Sequence, residues 1–131
     1  MVALLAVVAA AFGPPSPVLH SRTGELVAAR GSYCWVSARR GLCVDTVAPV
    51  TERSLSVHRH GRVRVDMRTV TESLTATVRG RRGRLRVRPA GGSRQRFVVR
   101  MPQRFGRRPV LDLFARYPRG DGSFGARLRL R

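Results

Sequence analysis

The chain has 131 residues, of which 43% are hydrophobic and 25% are charged. That length and balance favour one folded domain with a modest hydrophobic core, and they argue against a second independent domain or a disordered tail. Its 26 basic residues face only seven acidic ones, and the formal net charge of +19 would attract nucleic acid, anionic lipid or acidic wall polymers.

Every basic residue is arginine, and this fact supports two explanations of the charge. The chain contains no Lys, Asn or Ile, the residues whose codons are rich in A and T, so a GC-rich bacterial genome would produce the same bias without any ligand. Codon pressure explains why Arg replaces Lys, but it does not explain why acids are so few. The sequence leaves open whether the excess is compositional or serves to bind anions.

Residues 1–17 predict an export signal followed by a short linker. Residues 1–11 are an unbroken run of small apolar side chains ending in Ala-Ala-Ala, which is typical of the apolar core and cleavage end of a signal peptide. The run is too short to span a bilayer, which takes roughly 20 apolar residues. A buried N-terminal strand or helix is the alternative. With the Pro-rich residues 13–17 as a linker, residues 18–131 are the predicted domain, secreted or displayed at the cell surface.

Cys34 and Cys43 are the only two cysteines of the chain. An even number of cysteines behind an export signal favours a disulfide, which would contribute about 2.5–3 kcal/mol by restricting the unfolded chain. Two free buried thiols are the alternative. A zinc site would need about four ligands in spacings that this sequence does not contain, so no metal and no other cofactor is predicted.

Tyr33 and Trp35 flank Cys34, and in an extended strand the two rings share the face opposite to it. One interpretation is that both rings pack on the core beside the disulfide, since a small domain needs large apolar groups. The other interpretation is that they form an exposed aromatic ledge, which stacks on a sugar or another flat ligand.

The same region carries a resemblance to known proteins. Residues 31–35, Gly-Ser-Tyr-Cys-Trp, and residues 43–45, Cys-Val-Asp, resemble a motif of small secreted β-sandwich proteins and lipoproteins of bacteria. Residues 114–130, with a Gly-Asp-Gly turn before Phe-x-Ala-x-Leu-x-Leu, are similar to the terminal hairpin of those proteins. The resemblance implies a β-sandwich and supplies no catalytic or binding residues. This chain lacks the lipid-attachment cysteine of many such proteins, so a membrane anchor is not implied.

Most of the remaining chain alternates apolar and polar residues in short runs that Gly and Pro interrupt. The alternation is clearest at residues 62–68, 73–78, 84–88 and 124–131, and it is what half-buried strands require. Residues 118–123 suit a tight turn, which predicts a C-terminal hairpin. No run outside the leader has a helical period. We therefore expect an all-β fold, an immunoglobulin-like antiparallel β-sandwich of about seven short strands.

Twelve arginines and no acid lie between Arg79 and Arg108. Clustered arginines grip phosphate or carboxylate through paired N–H groups, so this strip predicts an anion-binding site. The candidate residues are Arg79, Arg81, Arg82, Arg84, Arg86 and Arg88. The alternative is a solvated sheet face whose arginine stems cover apolar surface. The strip holds only Phe97 and Phe105 as aromatics and no DNA-reading motif, so sequence-specific nucleic-acid binding is not expected.

Motifs of catalysis do not occur in the sequence. The seven acids are scattered, and there is no G-x-S-x-G elbow, H-E-x-x-H helix or phosphate-binding loop. His58 and His60 would share one side of a strand, but spacing marks no third metal ligand. We expect a secreted, non-catalytic β-sandwich module that acts at a surface or in an interaction. The alternative is a cationic protein that binds cell-wall polymer, anionic lipid or nucleic acid. The partner and the oligomeric state do not follow from the sequence.

Overall fold

The computed structural model describes residues 12–131, and the predicted signal at residues 1–11 lies outside them. The all-β prediction is confirmed, and no helix in the described part of the chain could cross a membrane. Instead of about seven strands, residues 12–131 form eleven: β1 (Val18–Ser21), β2 (Gly24–Val27), β3 (Ala29–Ser37), β4 (Arg40–Val44), β5 (Ser54–Val57), β6 (Arg62–Asp66), β7 (Ser73–Val78), β8 (Val87–Pro89), β9 (Arg96–Arg100), β10 (Val110–Tyr117) and β11 (Gly120–Leu130).

The strands form two sheets that enclose one core. Sheet I has the order β2-β1-β6-β9-β8, and sheet II has the order β4-β3-β11-β10-β7. Neighbouring strands within these two orders are antiparallel. β5 is parallel to the second half of β11, with Ser54 opposite Arg127 and Val57 opposite Leu130. The architecture is therefore a β-sandwich, as predicted.

Seven of the strands reproduce the immunoglobulin arrangement. The order β1-β6-β9-β8 corresponds to strands A, B, E and D, and β7-β10-β11 corresponds to C, F and G. The other four strands, β2 to β5, all lie between β1 and β6 in the chain. The sequence prediction missed the short edge strands β2 and β4 because neither contains a buried residue, so neither shows a buried and exposed alternation.

The core follows from that alternation in the other strands. Val63 and Val65 of β6 are almost completely buried, while Arg62 beside them is exposed. Leu113 and Phe124, which are paired across β10 and β11, are buried in the same core from sheet II. Burying apolar side chains of this size contributes about 1.5–3 kcal/mol each. The residues that alternate with them point to solvent and form the two outer faces of the sandwich.

Tyr33 and Trp35 belong to this core. They are only 8% and 7% exposed, and the Trp35 ring meets the Tyr117 ring edge to face, with centroids 5.3 Å apart. The interpretation as an exposed aromatic ledge is therefore corrected. The side of β3 that carries both rings faces the interior, because large rings packed edge to face stabilise a small core more than exposed rings would.

The predicted disulfide between Cys34 and Cys43 is confirmed. The two residues are directly opposite each other on the β3–β4 hairpin. Because Tyr33 and Trp35 point inward, Cys34 points to the outer face of sheet II, and Cys43 is exposed. The bond therefore ties the edge strand β4 to β3 at the surface of the sandwich.

Residues 13–17, predicted as a linker, and Phe12 before them pack against the sandwich. Pro14 is buried, and Phe12 packs against the core. The Arg30 guanidinium donates through Nη1 to the carbonyls of Phe12 and Pro14, at 3.0 and 3.1 Å. It also lies over the Tyr33 ring, 4.6 Å from the centroid. The fold itself thus uses the positive charge of Arg30.

Candidate functional site

The structure separates the six arginines that the sequence analysis grouped. Arg79, just beyond β7, pairs with Asp112 of β10: its Nε donates to Oδ2 at 3.0 Å and its Nη2 to Oδ1 at 2.6 Å. Nη2 also donates to the Pro49 carbonyl at 2.9 Å. The hydrogen bond to Asp112 raises the pKa of Arg79 above its ordinary value. This guanidinium is held on sheet II by the fold and is not a free anion site.

Arg81, Arg82 and Arg84 lie in the exposed connection from β7 to β8. The connection passes from sheet II to sheet I, and on the way the Leu85 N–H donates to the Ala76 carbonyl of β7 at 2.8 Å. Arg84 lines a groove on the outer face of sheet II. The structure therefore does not bring these three arginines together with the remaining two on one sheet face.

Arg86 and Arg88 reach the outer face of sheet I, where they join four arginines of β6 and β9. Five of the six alternate with inward-pointing residues of their strands, and Arg86 directly precedes β8 in the same alternation, so all six share the solvent side of the sheet. We call this set the arginine face, and all its members are exposed: Arg62, Arg64, Arg86, Arg88, Arg96 and Arg100.

The first row across the arginine face contains three arginines on three neighbouring segments. Arg62 of β6 is the partner of Arg100 of β9, and the Arg100 N–H donates to the carbonyl of Arg86 at 3.0 Å. Neighbouring strands are about 4.8 Å apart. Three guanidinium groups therefore start from backbone positions that lie side by side.

Val98 lies at the centre of the arginine face. It is paired with Arg64 on one side and with Arg88 on the other. In the next row Asp66 is paired with Arg96, and Asp66 is the one acid among the residues of β6, β8 and β9. The face thus has an apolar centre with arginines on both neighbouring segments and Asp66 at one corner.

A groove of about 490 Å³ lies over this face. Four arginines and two valines line it: Arg62, Arg86, Arg88, Arg100, Val87 and Val98. Arginine stems cover apolar surface while their charged heads remain in water, which suits Val98 on the outer face, whereas the Val87 side chain packs against the core. The volume falls in the range of ligand sites, about 300–1,000 Å³.

The arginine face has no carboxylate partners within the described chain. Residues 12–131 contain two ion pairs closer than 4.0 Å, which are His20–Glu25 and Arg79–Asp112. The carboxylate of Asp66 instead accepts the backbone N–H of Arg68 at 2.9 Å. Like charges at neighbouring positions of a sheet repel one another. An anionic ligand would reduce this repulsion.

Arg62 and Arg64 are candidate site residues that the sequence prediction missed, whereas Arg96 and Arg100 lay within the predicted strip but were not among its six named candidates. One signal was present, because the alternation at residues 62–68 already placed Arg62 and Arg64 on the solvent side of a strand. The missing information was strand order. β6 and β9 are neighbours in sheet I although β7 and β8 separate them in the chain.

Neither aromatic residue of the predicted strip offers a stacking surface on the arginine face. Phe97 is 6% exposed and points into the core, and Phe105 packs against the core as well. Sites for single-stranded nucleic acid usually combine positive charge with exposed rings. Among residues 12–131 there is also no group of three His, Cys, Asp or Glu side chains that could hold a metal ion.

No protein-family model, curated protein or solved structure matches this chain. The resemblance of residues 31–35 and 43–45 to secreted bacterial β-sandwich proteins therefore stays a prediction. The chemistry of the arginine face is the basis on which a function can be assigned.

Proposed function

We propose that this protein is a non-catalytic β-sandwich module that binds an anionic polymer on the outer face of sheet I. The arginine face carries the proposal: six exposed arginines share one sheet face, four of them line one groove, and none forms an ion pair closer than 4.0 Å within residues 12–131. A GC-rich genome would account for arginine as the residue type. It would not account for six arginines at adjacent positions of three neighbouring segments.

The chemistry of the guanidinium group favours an anion with repeated charges. Each guanidinium has five N–H donors and no acceptor, and its fork matches phosphate and carboxylate oxygens. Residues on the same side of a strand are about 6.7 Å apart, and neighbouring strands are about 4.8 Å apart. A polymer with a charge on each unit would contact several arginines at once, whereas a single small anion would contact one or two.

The polymer that we favour is an acidic cell-wall polymer met outside the cell. The disulfide is compatible with an extracellular protein, and residues 1–11 predict export. Nucleic acid is the weaker candidate, because the arginine face offers no ring on which a base would stack.

A second candidate function is protein interaction through the β3–β4 hairpin. Val36 and Leu42 are 50% and 45% exposed there, and β4 is an edge strand of sheet II. Exposed apolar residues on an open sheet edge suit the addition of a partner strand. This candidate needs none of the arginines of sheet I, so the same variants separate the two functions.

Retention on immobilised poly(glycerol phosphate) tests the proposal. One variant carries four substitutions on the arginine face: Arg62→Gln, Arg64→Gln, Arg88→Gln and Arg100→Gln. The matched control removes the same charge from exposed positions on or beside the strands of sheet II: Arg39→Gln, Arg40→Gln, Arg116→Gln and Arg119→Gln. At about 1 kcal/mol for each arginine, the first variant should lose affinity by at least about 100-fold.

The salt dependence gives a second readout of the same variants. The slope of log affinity against log salt should fall by about four in the arginine-face variant and much less in the control. Both variants should keep the melting temperature of the wild type, so a loss of binding would not reflect unfolding. Equal losses in the two variants would refute the proposal, because retention would then follow net charge alone.

A further inference from the structure

A second groove, separate from the arginine face, lies on the outer face of sheet II. It encloses about 480 Å³ and contains Phe114 of β10, which is 41% exposed. Phe114 lies between Thr75 of β7 and Ser123 of β11, its partners in the two adjoining ladders. The ring thus stands on a sheet face between two small hydroxyl side chains, where a ligand can approach it.

Asp112 is the next residue on the same side of β10. Its carboxylate accepts two hydrogen bonds from Arg79, which fix its orientation and leave further lone pairs for another donor. Its partner on β7 is Thr77, which also lines the groove. An oriented carboxylate therefore lies one strand repeat, about 6.7 Å along the backbone, from the exposed ring of Phe114.

The β4–β5 loop forms one wall of this groove. The Thr46 N–H donates to Ser32 Oγ at 2.9 Å, and Arg79 Nη2 donates to the Pro49 carbonyl at 2.9 Å. The loop lies so close to the sheet that a Cβ on Gly125 would collide with the Pro49 carbonyl oxygen. The wall is therefore held at several points, and the groove is formed before any ligand binds.

We propose that this groove binds a sugar, a ring that carries several hydroxyl groups. Besides the Asp112 carboxylate, the hydroxyls of Thr75 and Ser123 act as acceptors: they donate to backbone carbonyls at 3.2 and 3.1 Å and keep lone pairs for a ligand. A matching ligand must donate several hydrogen bonds, which phosphate and carboxylate anions do not. The C–H face of a sugar ring also fits the negative face of the Phe114 ring.

Substitution of Arg84 would distinguish two kinds of ligand, a neutral sugar and an acidic sugar. Arg84 lines the groove and has no carboxylate partner in the described chain, so it can donate to a hydroxyl of a neutral sugar or to the carboxylate of an acidic one. Both ligands stack on Phe114. The substitution Arg84→Gln should weaken binding of an acidic sugar far more than binding of a neutral sugar.

An array of oligosaccharides built from hexose, N-acetylhexosamine and uronic acid units tests the proposal with the full chain. The wild type should retain at least one of them, and titration of that oligosaccharide should show about a tenfold loss of affinity in Phe114→Ala. Phe114→Leu, which keeps an apolar side chain without a ring, should show a similar loss. The control Val27→Ala truncates an exposed apolar side chain, 54% exposed, on β2 of sheet I outside the groove, and it should keep the affinity.

Two outcomes would overturn the sugar site. One is that the array retains no oligosaccharide. The other is that the retained oligosaccharide binds Phe114→Ala and Phe114→Leu as well as it binds the wild type. The fourfold arginine-face variant should keep its sugar affinity, and Phe114→Ala should keep its affinity for poly(glycerol phosphate). Failure of one proposal is therefore distinguishable from failure of the other.

Discussion

The two outer faces of the sandwich use arginine in different ways. On sheet I, six arginines lie side by side without a carboxylate partner in residues 12–131, and their side chains present N–H donors. On sheet II, Arg79 is paired with Asp112 and bound to the Pro49 carbonyl, and several groups beside it are acceptors. Arg79 lies beside a carboxylate and stabilises the fold. The arginines of the arginine face lie beside other arginines, and their N–H groups are available to a ligand.

The two faces also differ in how firmly the structure holds them. The face of sheet II carries the disulfide and is covered in part by the β4–β5 loop. The arginine face has neither feature, since its six side chains extend from regular strands and an adjoining segment into solvent. Substitutions that remove the contacts tying the β4–β5 loop and β4 to sheet II should therefore reduce stability, and substitutions on the arginine face should reduce binding. Three predictions test this division.

Removing the disulfide should have the largest effect on stability. The double variant Cys34→Ser and Cys43→Ser frees the β3–β4 hairpin, and its free energy of unfolding should fall by about 3 kcal/mol in urea denaturation. Its affinity for poly(glycerol phosphate), measured where both proteins are folded, should not change, because β3 and β4 belong to sheet II. A weaker affinity in the folded variant would show that the two faces are coupled, and the division would fail.

Gly125→Ala should have a smaller effect that is confined to sheet II. Its Cβ would collide with the Pro49 carbonyl oxygen, so the β4–β5 loop must move and the contact with Arg79 is lost. We expect the free energy of unfolding to fall by about 2 kcal/mol. In the control Gly24→Ala the new Cβ meets nothing within 4 Å, and stability should stay within about 0.5 kcal/mol. Equal stability of the two variants would mean that the loop is not held against the sheet.

The fold class was predictable because period-two alternation survives in the strands that build the core. On β6 and β7, every second residue is buried, and the sequence shows this directly. The disulfide was predictable from cysteine count and expected compartment. The strands β2 and β4 were not predictable, because edge strands bury few side chains and so show no alternation of apolar and polar residues in the sequence.

The candidate site was only partly predictable, since it depends on neighbours across the sheet. Arg86 and Arg88 came from the predicted strip, but the row that joins Arg86 to Arg62 and Arg100 exists only once strand order is known. Arg79 was wrongly grouped with Arg86 and Arg88, because the strand order was not known. Its partner Asp112 is 33 residues away in the chain, and no local pattern marks that contact.

The smallest effect, and the sharpest comparison of the two faces, comes from single substitutions of two arginines of the predicted strip. Arg79→Gln should lower the free energy of unfolding by about 1 kcal/mol, because Asp112 loses its ionic partner in a half-buried place. Arg88→Gln should change the free energy of unfolding by no more than about 0.5 kcal/mol, because Arg88 forms no ion pair within residues 12–131 and its charge is only repelled by neighbouring arginines.

Binding should show the opposite order for the same two variants. Arg88→Gln should weaken retention on poly(glycerol phosphate), and the difference from wild type should shrink as salt screens the charges. Arg79→Gln should leave retention almost unchanged, because its charge is already neutralised by Asp112. If both variants lost the same amount of stability and of affinity, the two arginines would be equivalent. In that case, a neighbouring carboxylate would not determine whether an arginine stabilises the fold or binds a ligand.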